Sequence, residues 1–354
     1  MTRCFDNMES QTEISTIGEF GLIGRITDGI EPKNASTVAG VGDDGAVLRY
    51  PDTDVLVSTD LLLEGVHFDL TYVPLKHLGY KAAVVNFSDI YAMNGTPRQI
   101  TVGLGISSRF TVEHIEELYS GMRLACDIYG VDLVGGDTTA SRSGLVISIT
   151  CIGDADKDKV VFRSGAHDTD LICVSGDLGS AYMGLQLLER EKRVSAGDKD
   201  FVPQFEGKEY LIERQLKPEA RKDIIAALSS SGIKPTSMMD ISDGLSSELL
   251  HLCKASDTGC RIYEDRLPVD YQTAAMAEEI GMSAITAALN GGEDYELVFT
   301  VPLHCHDTVS KIEGVKVIGH MTGPELGCAL ITADGGEFPL KAQGFNHMPA
   351  ADAS

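Results

Sequence analysis

Residues 75–93 read LKHLGYKAAVVNFSDIYAM, and the spacing of their apolar side chains decides the class of fold. Leu78, Ala82, Val85 and Met93 recur at intervals that return to one face of a helix. This period predicts an amphipathic helix whose apolar row packs against a core. Because the short apolar run before it reads as a strand, the stretch predicts one strand-then-helix unit of an α/β fold.

Asp89 lies on the same row of this helix as Ala82 and Val85. A carboxylate facing a core is costly unless hydrogen-bond donors or a cation meet it. The residues alone leave two interpretations open. Asp89 is either capped or ion-paired, with Lys81 as a candidate partner, or it is a metal ligand.

The rest of the chain continues the alternation of strands and helices. A second helix is predicted over residues 112–129, with Thr111 as N-cap and Gly130 as the stop. Further predictions are strands at 54–58, 131–135, 144–153, 170–176 and 237–242, and helices at 180–191 and from Leu245 onward.

The length of 354 residues favours two domains. Residues 153–170 form a polar, charged stretch between apolar runs and are the best candidate junction. We therefore expect one domain over residues 1–155 and a second over 156–354.

Composition narrows the class of protein. A hydrophobic fraction of 43% and a charged fraction of 23% are those of a globular, water-soluble chain, and no apolar leader opens the sequence. We expect a cytoplasmic protein with no membrane segment. The formal net charge of -24 argues against nucleic acid as a partner. An acidic chain still binds phosphates when divalent cations neutralise both sides.

The eight cysteines show no CxxC pair and no spacing typical of a metal site; they stand at 4, 126, 151, 173, 253, 260, 305 and 328. We expect buried free thiols rather than a disulfide framework or a zinc site.

Acidic residues beside small residues recur at the ends of predicted elements. Any one of them suits a turn, but loops at strand ends are where an α/β scaffold presents its chemistry. Several carboxylates without a His/Cys ligand pattern favour Mg²⁺ and phosphates. Glycine pairs at 135–136 and 291–292 would let backbone N–H groups approach phosphate oxygens. The carboxylates are Asp43, Asp44, Asp60, Asp137, Asp240, Asp243, Glu293 and Asp294.

No nucleotide-binding P-loop, kinase HRD or DFG set, or GxSxG elbow occurs in the sequence. The residues by themselves therefore indicate a Mg²⁺-dependent enzyme acting on phosphates or nucleotides.

Seven motifs, in their order, resemble the thiamine-monophosphate kinase family. This family belongs to the superfamily of aminoimidazole ribonucleotide synthetase, selenophosphate synthetase and a hydrogenase maturation protein. The resemblance extends from about Gly18 to Phe345. Its motifs are GVGDDGAVL (40–48), VSTDLLLEGVHF (57–68), GYKAAVVNFSDIYAMNGTPR (79–98), VGGDTT (134–139), RSGAHDTD (163–170), MDISDGLSSEL (239–249) and GGEDYEL (291–297).

The resemblance implies transfer of the γ-phosphoryl group of ATP to thiamine monophosphate, giving thiamine diphosphate and ADP. It also implies a two-domain PurM-like α/β fold, in which the N-terminal domain binds ATP and Mg²⁺ and forms a homodimer through its sheet. The C-terminal α/β domain would complete the nucleotide and substrate site. Several Mg²⁺ ions held by aspartates would replace a P-loop.

The site residues carried over from the family fall into three groups. The metal ligands would be Asp44, Ser58, Thr59, Asp60, Asp89, Asp137, Asp240 and Asp243, of which Asp60, Asp89, Asp137 and Asp240 are the catalytic candidates. The nucleotide contacts would be Tyr119, Gly136, Asp137, Arg163 and Ser242. The thiamine phosphate would meet His67, Glu293 and Phe345.

The chemistry agrees with that assignment, because a phosphate oxygen is already ionised at neutral pH and needs no catalytic base. We expect His67 to hydrogen-bond the substrate, and Phe345 either to pack against the thiamine ring or to seal the core. Two alternatives stay open. One is a sister activity of the superfamily on an amide or selenide, and the other is a non-catalytic sensor of Mg²⁺-nucleotide.

Overall fold

The computed structural model describes residues 12, 22, 24–39, 47–195 and 203–342. The chain forms two compact units, the first made of Met1–Val160, Leu187–Glu206 and Leu216–Lys222, the second of Val161–Gln186, Gly207–Gln215 and Asp223–Ser354. The division at residue 155 stays a prediction, because the first unit also includes two later segments that no composition change marks.

A four-stranded sheet forms the centre of the first unit, in the order β3-β6-β4-β5. Neighbouring strands are antiparallel except β4 and β5. A separate pair, β1 with β2, precedes it along the chain. The strands are β1 (Thr37–Ala39), β2 (Val47–Leu48), β3 (Asp54–Leu63), β4 (Thr96–Ile106), β5 (Asp132–Ala140) and β6 (Val146–Ala155).

Two helices pack closely in this unit: α1 (Leu75–Ala92) and α2 (Val112–Tyr129). A Cβ atom added to Gly79 would lie 1.9 Å from the Leu118 carbonyl oxygen, and one on Gly121 would lie 1.8 Å from that of Lys76. No real side chain tolerates such distances, so the close approach of the helices requires glycine at both positions. This packing holds the buried face of α1 in place.

The chain after Val160 builds a mixed seven-stranded sheet in the order β13-β12-β9-β11-β7-β10-β8. Only β9 and β12 are parallel neighbours. The strands are β7 (Leu171–Ser175), β8 (Ser237–Asp240), β9 (Gly259–Tyr263), β10 (Leu297–Val301), β11 (Val315–Thr322), β12 (Cys328–Ile331) and β13 (Glu337–Pro339).

Helices along this half of the chain include α6, whose Leu245, Leu249 and Leu252 enter the core beside Ile172 and Val298 of the sheet. The helices are α3 (Ser180–Ser195), α4 (Glu209–Leu216), α5 (Lys222–Ser230), α6 (Leu245–Ser256), α7 (Tyr271–Glu279), α8 (Ala284–Asn290) and α9 (His306–Val309). Single 3₁₀ turns lie at Glu264–Arg266, Leu303–Cys305 and Pro324–Leu326.

The predicted elements are confirmed with shifted ends. The helix predicted over 112–129 has those bounds, begins with a capping box at Thr111 and ends at the left-handed Gly130, with φ 72°. The strand predicted over 54–58 continues to Leu63. No element was predicted for β4, although it lies between two neighbours inside the sheet. Among the described residues, no helix is long and apolar enough to span a membrane.

Candidate functional site

The inner face of β3 brings polar side chains against α1. Along the strand Leu56 and Leu62 are buried while Val57 and Leu61 are exposed. This alternation places Ser58 and Asp60 on the inner face with the leucines. Inner-face positions therefore carry carboxylate and hydroxyl oxygens where a core would normally be apolar.

Two hydrogen bonds connect β3 to α1 at this point, and a third fixes the Asn86 side chain within α1. The Ser58 hydroxyl donates a short hydrogen bond to Asp89 Oδ2. The backbone N–H of Asp60 donates to Asn86 Oδ1 at 3.1 Å, and the Asn86 amide donates back to the Ala82 carbonyl at 3.0 Å. Asp89, Ser58 and Asp60 are thus brought together, as the family resemblance predicts.

The electrostatics of this group favour a cation. Burial, and to a lesser extent the charge of Asp89, raise the pKa of Asp60 from 3.8 to about 7. A divalent cation bound by both carboxylates would remove that repulsion, and their hard oxygens suit Mg²⁺. The donor set of Ser58, Asp60 and Asp89 therefore fits the predicted ion.

Thr59 and Asp137 lie on the opposite, outer face of the sheet. The Thr59 hydroxyl donates to the Ile149 carbonyl at 3.1 Å and contacts the Thr150 hydroxyl. In the sheet register Asp137 pairs with Gly103, which continues the row of Ser148 and Leu61. Three strand spacings, about 14 Å, separate the two edges of the sheet. Neither side chain joins the group formed by Asp60 and Asp89.

Gly136 and Tyr119, two of the predicted nucleotide contacts, are both constrained by packing inside the first unit. A Cβ at Gly136 would lie 2.0 Å from the Val102 carbonyl oxygen. The glycine is therefore required for β5 to pair with β4, whatever else it contacts. Tyr119 is buried in α2, with 5% of its surface exposed, and burial raises the pKa of its phenol.

His67 lies in the turn that follows β3. Its Nδ1 accepts a hydrogen bond from the Leu63 backbone N–H at 3.0 Å. A neutral imidazole in this setting carries its proton on Nε2. The ring is therefore set up to donate a hydrogen bond, which agrees with the predicted substrate contact.

In the second unit, the segment after β8 runs beside the segment that precedes β10. Ile241 N donates to Glu296 O at 2.7 Å, Tyr295 N to Ile241 O at 2.9 Å, and Glu293 N to Ser242 O at 2.7 Å. These bonds bring the DISD and GGED motifs together, although some fifty residues separate them in sequence.

Glycines allow these two segments to touch. Gly292 has φ 70°, and a Cβ there would lie 2.6 Å from the Ser242 carbonyl oxygen. Gly244 has φ 117°, and a Cβ there would lie 2.8 Å from Asn290 Cα. A side chain at either position would force the acidic loops apart.

The two acids of GGED have different surroundings. Glu293 has the left-handed φ of 60°, and its Oε2 accepts from Gln215 Nε2 at 2.8 Å. Asp294 is fully buried and accepts from the Gly179 backbone N–H at 2.8 Å, just before α3. Asp294 therefore anchors the start of a helix, while Glu293 is the candidate for substrate binding.

Asp240 ends β8 and is buried, and Asp243 lies three residues beyond it. A third carboxylate, Glu248 of α6, is 1% exposed, and its Oε1 accepts from the Asp243 backbone N–H at 3.0 Å. Burial first, and then the charges of Asp243 and Asp240, raise the pKa of Glu248 to about 8. Its Oε2 has no hydrogen-bond partner among the described residues. Like Asp60 in the first group, Glu248 is a carboxylate whose pKa is raised by burial and by neighbouring carboxylates.

The sequence interpretation did not include Glu248. It stands three residues after Leu245 and four before Leu252, on the apolar row of its helix. The same signal that singled out Asp89, a carboxylate on the core-facing row of a helix, is present at Glu248.

Arg163 is exposed, and its carbonyl accepts from the Ser256 hydroxyl at 3.4 Å. The preceding residue, Phe162, accepts from the Met238 backbone N–H on β8 at 3.0 Å. Arg163 therefore lies beside the strand that ends at Asp240. Asp44 and Phe345 fall outside the described residues.

The N-terminal part of the chain matches a known family model, and curated relatives match most of its length. Residues 42–155 match the family model described as AIR synthase related protein, N-terminal domain. The chain is 36% identical over 289 residues to thiamine-monophosphate kinase of Aquifex aeolicus, covering 82% of this chain and 87% of that protein. It is 32% identical over 341 residues to the Bacillus subtilis enzyme of the same name, covering 93% and 99%.

Solved structures give the same result. The complex described as AaThiL with AMPPCP and TMP superposes with a TM-score of 0.73 at 32% identity, covering 97% of this chain and 99% of that one. The hydrogenase maturation protein HypE superposes with a TM-score of 0.71 at 19% identity, covering 92% and 98%, which shows a shared fold.

Asp60→Asn tests the electrostatics of the first group. A folded-state pKa of about 7 against 3.8 means that the native state holds more protons than the unfolded state between these values. Wild-type stability should therefore fall as pH rises through that interval. Without metal at pH 8, the variant should be more stable than wild type, on the order of 1 to 2 kcal/mol.

The measurement is denaturant unfolding at pH 5 and pH 8, with EDTA and with excess Mg²⁺. The advantage of the variant should shrink at pH 5, and Mg²⁺ should stabilise wild type more than the variant. Equal pH dependence of the two proteins would show that Asp60 is not held in an unfavourable charged state.

Proposed function

The chain belongs to the thiamine-monophosphate kinase family, and we propose that it transfers the γ-phosphoryl group of ATP to thiamine monophosphate, giving thiamine diphosphate and ADP. The observation that carries the proposal is the half-buried group of Ser58, Asp60 and Asp89 inside a chain whose relatives match it over most of its length. We further propose that it acts in the cytoplasm, where both substrates are available.

The reaction needs positioning and charge neutralisation more than proton transfer. Phosphoryl transfer places the attacking and leaving oxygens in line around a group whose charge is spread over three oxygens. The attacking phosphate oxygen is ionised near neutral pH, so a base would contribute little. His67, whose Nδ1 is already an acceptor for Leu63 N–H, would donate a hydrogen bond that orients the acceptor phosphate.

Magnesium is proposed as the cofactor, with Ser58, Asp60 and Asp89 as ligands in the first unit. Asp240 and Asp243 are the proposed ligands in the second unit. The support is that the negative charges of these two residues contribute to the raised pKa of Glu248. When bound, Mg²⁺ would neutralise phosphate oxygens and reduce the repulsion that ATP meets at an acidic surface. Asp44, Asp137 and Thr59 are assigned by resemblance, Thr59 through its main-chain oxygen.

The remaining residues are assigned to ATP or to thiamine phosphate from the family resemblance and from the chemistry of each side chain. Gly136, Asp137, Arg163 and Ser242 would bind ATP, the exposed Arg163 through its guanidinium. Tyr119 is buried, so we assign it a supporting role beneath the nucleotide contacts. Glu293, held by Gln215, and Phe345 would contact the thiamine phosphate.

We propose a homodimer formed through the outer face of the first unit's sheet. Val57 and Leu61 of β3 point outward with 66% and 52% of their surface exposed, and Val55 with 47%. Several exposed apolar side chains on one face of an edge strand are typical of an interface. Thr59 and Asp137 lie on this same face, so a second copy seated there would enclose both.

The catalytic proposal predicts that the purified chain, ATP and Mg²⁺ convert thiamine monophosphate to thiamine diphosphate, followed by chromatography of the thiamine esters. Asp60→Asn should lower kcat at least about 100-fold, because it removes ligand charge from a site for cations. Asp127→Asn is the matched control, since that side chain is 65% exposed and pairs with Lys33.

ATP binding without any product would favour the sensor, and ATP consumption with a different acceptor alone would favour a sister activity. Equal loss in both variants would mean that Asp60 acts through general charge rather than as a ligand.

The dimer predicts that Val57→Glu yields a monomer in light scattering coupled to gel filtration, because a buried unpaired charge is costly at an interface. Val194→Glu is the matched control, with 60% of Val194 exposed outside the sheet. A wild-type monomer, or a Val57→Glu dimer, would contradict the proposed interface.

A further inference from the structure

Three cysteines that are far apart in sequence meet in the second unit. Cys253 lies near the end of α6, Cys260 at the start of β9 and Cys328 at the start of β12. Their Sγ atoms all lie within 4.8 Å of one another. The parallel pairing of β9 with β12 places Cys328 directly opposite Cys260. Among the described residues this is the one group of three or more His, Cys, Asp or Glu side chains whose ligand atoms lie close enough together to hold a metal ion.

The cluster has a closed side and an open side. Cys253 and Cys260 are buried with 3% and 0% of their surface exposed, and both belong to the apolar core. Cys328 is half-buried at the edge of that core. An ion reaching the three sulfurs would therefore enter past Cys328, and an external ligand would have access from the same side.

Two neighbouring groups suit negatively charged sulfur. Arg261 donates to the carbonyls of Cys260 and Gly327, both at 2.9 Å, so its guanidinium is fixed beside the residues that carry two of the thiols. The Thr258 hydroxyl, which has no other hydrogen-bond partner among the described residues, lies beside the Cys253 thiol, and the Thr258 backbone N–H donates to Cys253 O at 3.0 Å. A ligating thiolate would give that hydroxyl an acceptor.

We propose that Cys253, Cys260 and Cys328 bind a thiophilic d¹⁰ cation of the Zn²⁺ class, with water or another external ligand in the fourth position. A Zn–S distance of about 2.3 Å in a tetrahedron places sulfurs about 3.8 Å apart, within reach of small side-chain rotations. Thiolates select such ions over Mg²⁺, so the site is chemically separate from the carboxylate groups. Each thiol that binds releases one proton, and no electron is transferred.

The test uses the full-length chain, reduced and freed of metal, with Zn²⁺ alone as the probe in excess Mg²⁺. Zinc retained against a chelator of known affinity is measured by mass spectrometry of the metal. We expect one Zn²⁺ per chain, and at least tenfold weaker binding in Cys328→Ser. Cys305→Ser is the control, since Cys305 is also half-buried and is flanked by His304 and His306.

A loss of zinc in Cys305→Ser with none in Cys328→Ser would overturn the proposal, because the ion would then belong to the His-Cys-His segment. No retained zinc in wild type would overturn it as well.

A second measurement needs no substitution and therefore does not depend on how the serine variant folds. Alkylation of the native chain, mapped by peptide mass spectrometry, should modify Cys328 in apo protein and be suppressed at least tenfold by Zn²⁺. Cys305 should react equally with and without the ion. Unchanged alkylation of Cys328, despite retained zinc, would place the ion elsewhere.

Discussion

The burial of the Asp60 carboxylate beside that of Asp89 is the constraint on which the rest of this structure depends. It arises because β3 alternates and α1 packs tightly, which together place two acids on one inner face. Folding the chain around this pair costs free energy that apolar residues would not. A bound cation would recover that cost, so the same carboxylates that weaken the fold are suited to hold the proposed ion.

The second unit obtains a similar result from different elements. Two loops approach through Gly244 and Gly292, and the approach leaves Glu248 buried beside the backbone of Asp243. Both groups therefore pair backbone packing with carboxylates of raised pKa. Such an arrangement would give a chain of net charge -24 a route to phosphate substrates, because cations bound there would supply positive charge.

Features that depend only on neighbouring residues, such as the apolar row of α1, could be predicted from the sequence. The period of α1 was sufficient to predict the helix, and the position of Asp89 on its apolar row singled out a carboxylate that the structure places beside Ser58. The sequence did not reveal β4, whose Pro97, Gly103 and Gly105 disfavour a strand in isolation; sheet pairing overrides that preference. That Asp137 lies on the same face as Leu61 depends on the register across the sheet, and the meeting of Cys260 with Cys328 depends on the pairing of two parallel strands. Neither is encoded in spacing along the chain.

The central claim is that cation binding and deprotonation of Asp60 are linked, and proton release on Mg²⁺ binding measures that linkage directly. Titration calorimetry at pH 7 in buffers of different ionisation enthalpy gives the number of protons released. With a pKa of about 7, Asp60 is half protonated, so saturating Mg²⁺ should release about half a proton per chain from this group. The share from Asp60 should rise towards one proton at pH 6 and should be missing from the release measured in Asp60→Asn. Mg²⁺ binding with the same proton release in wild type and variant at both pH values would contradict the account.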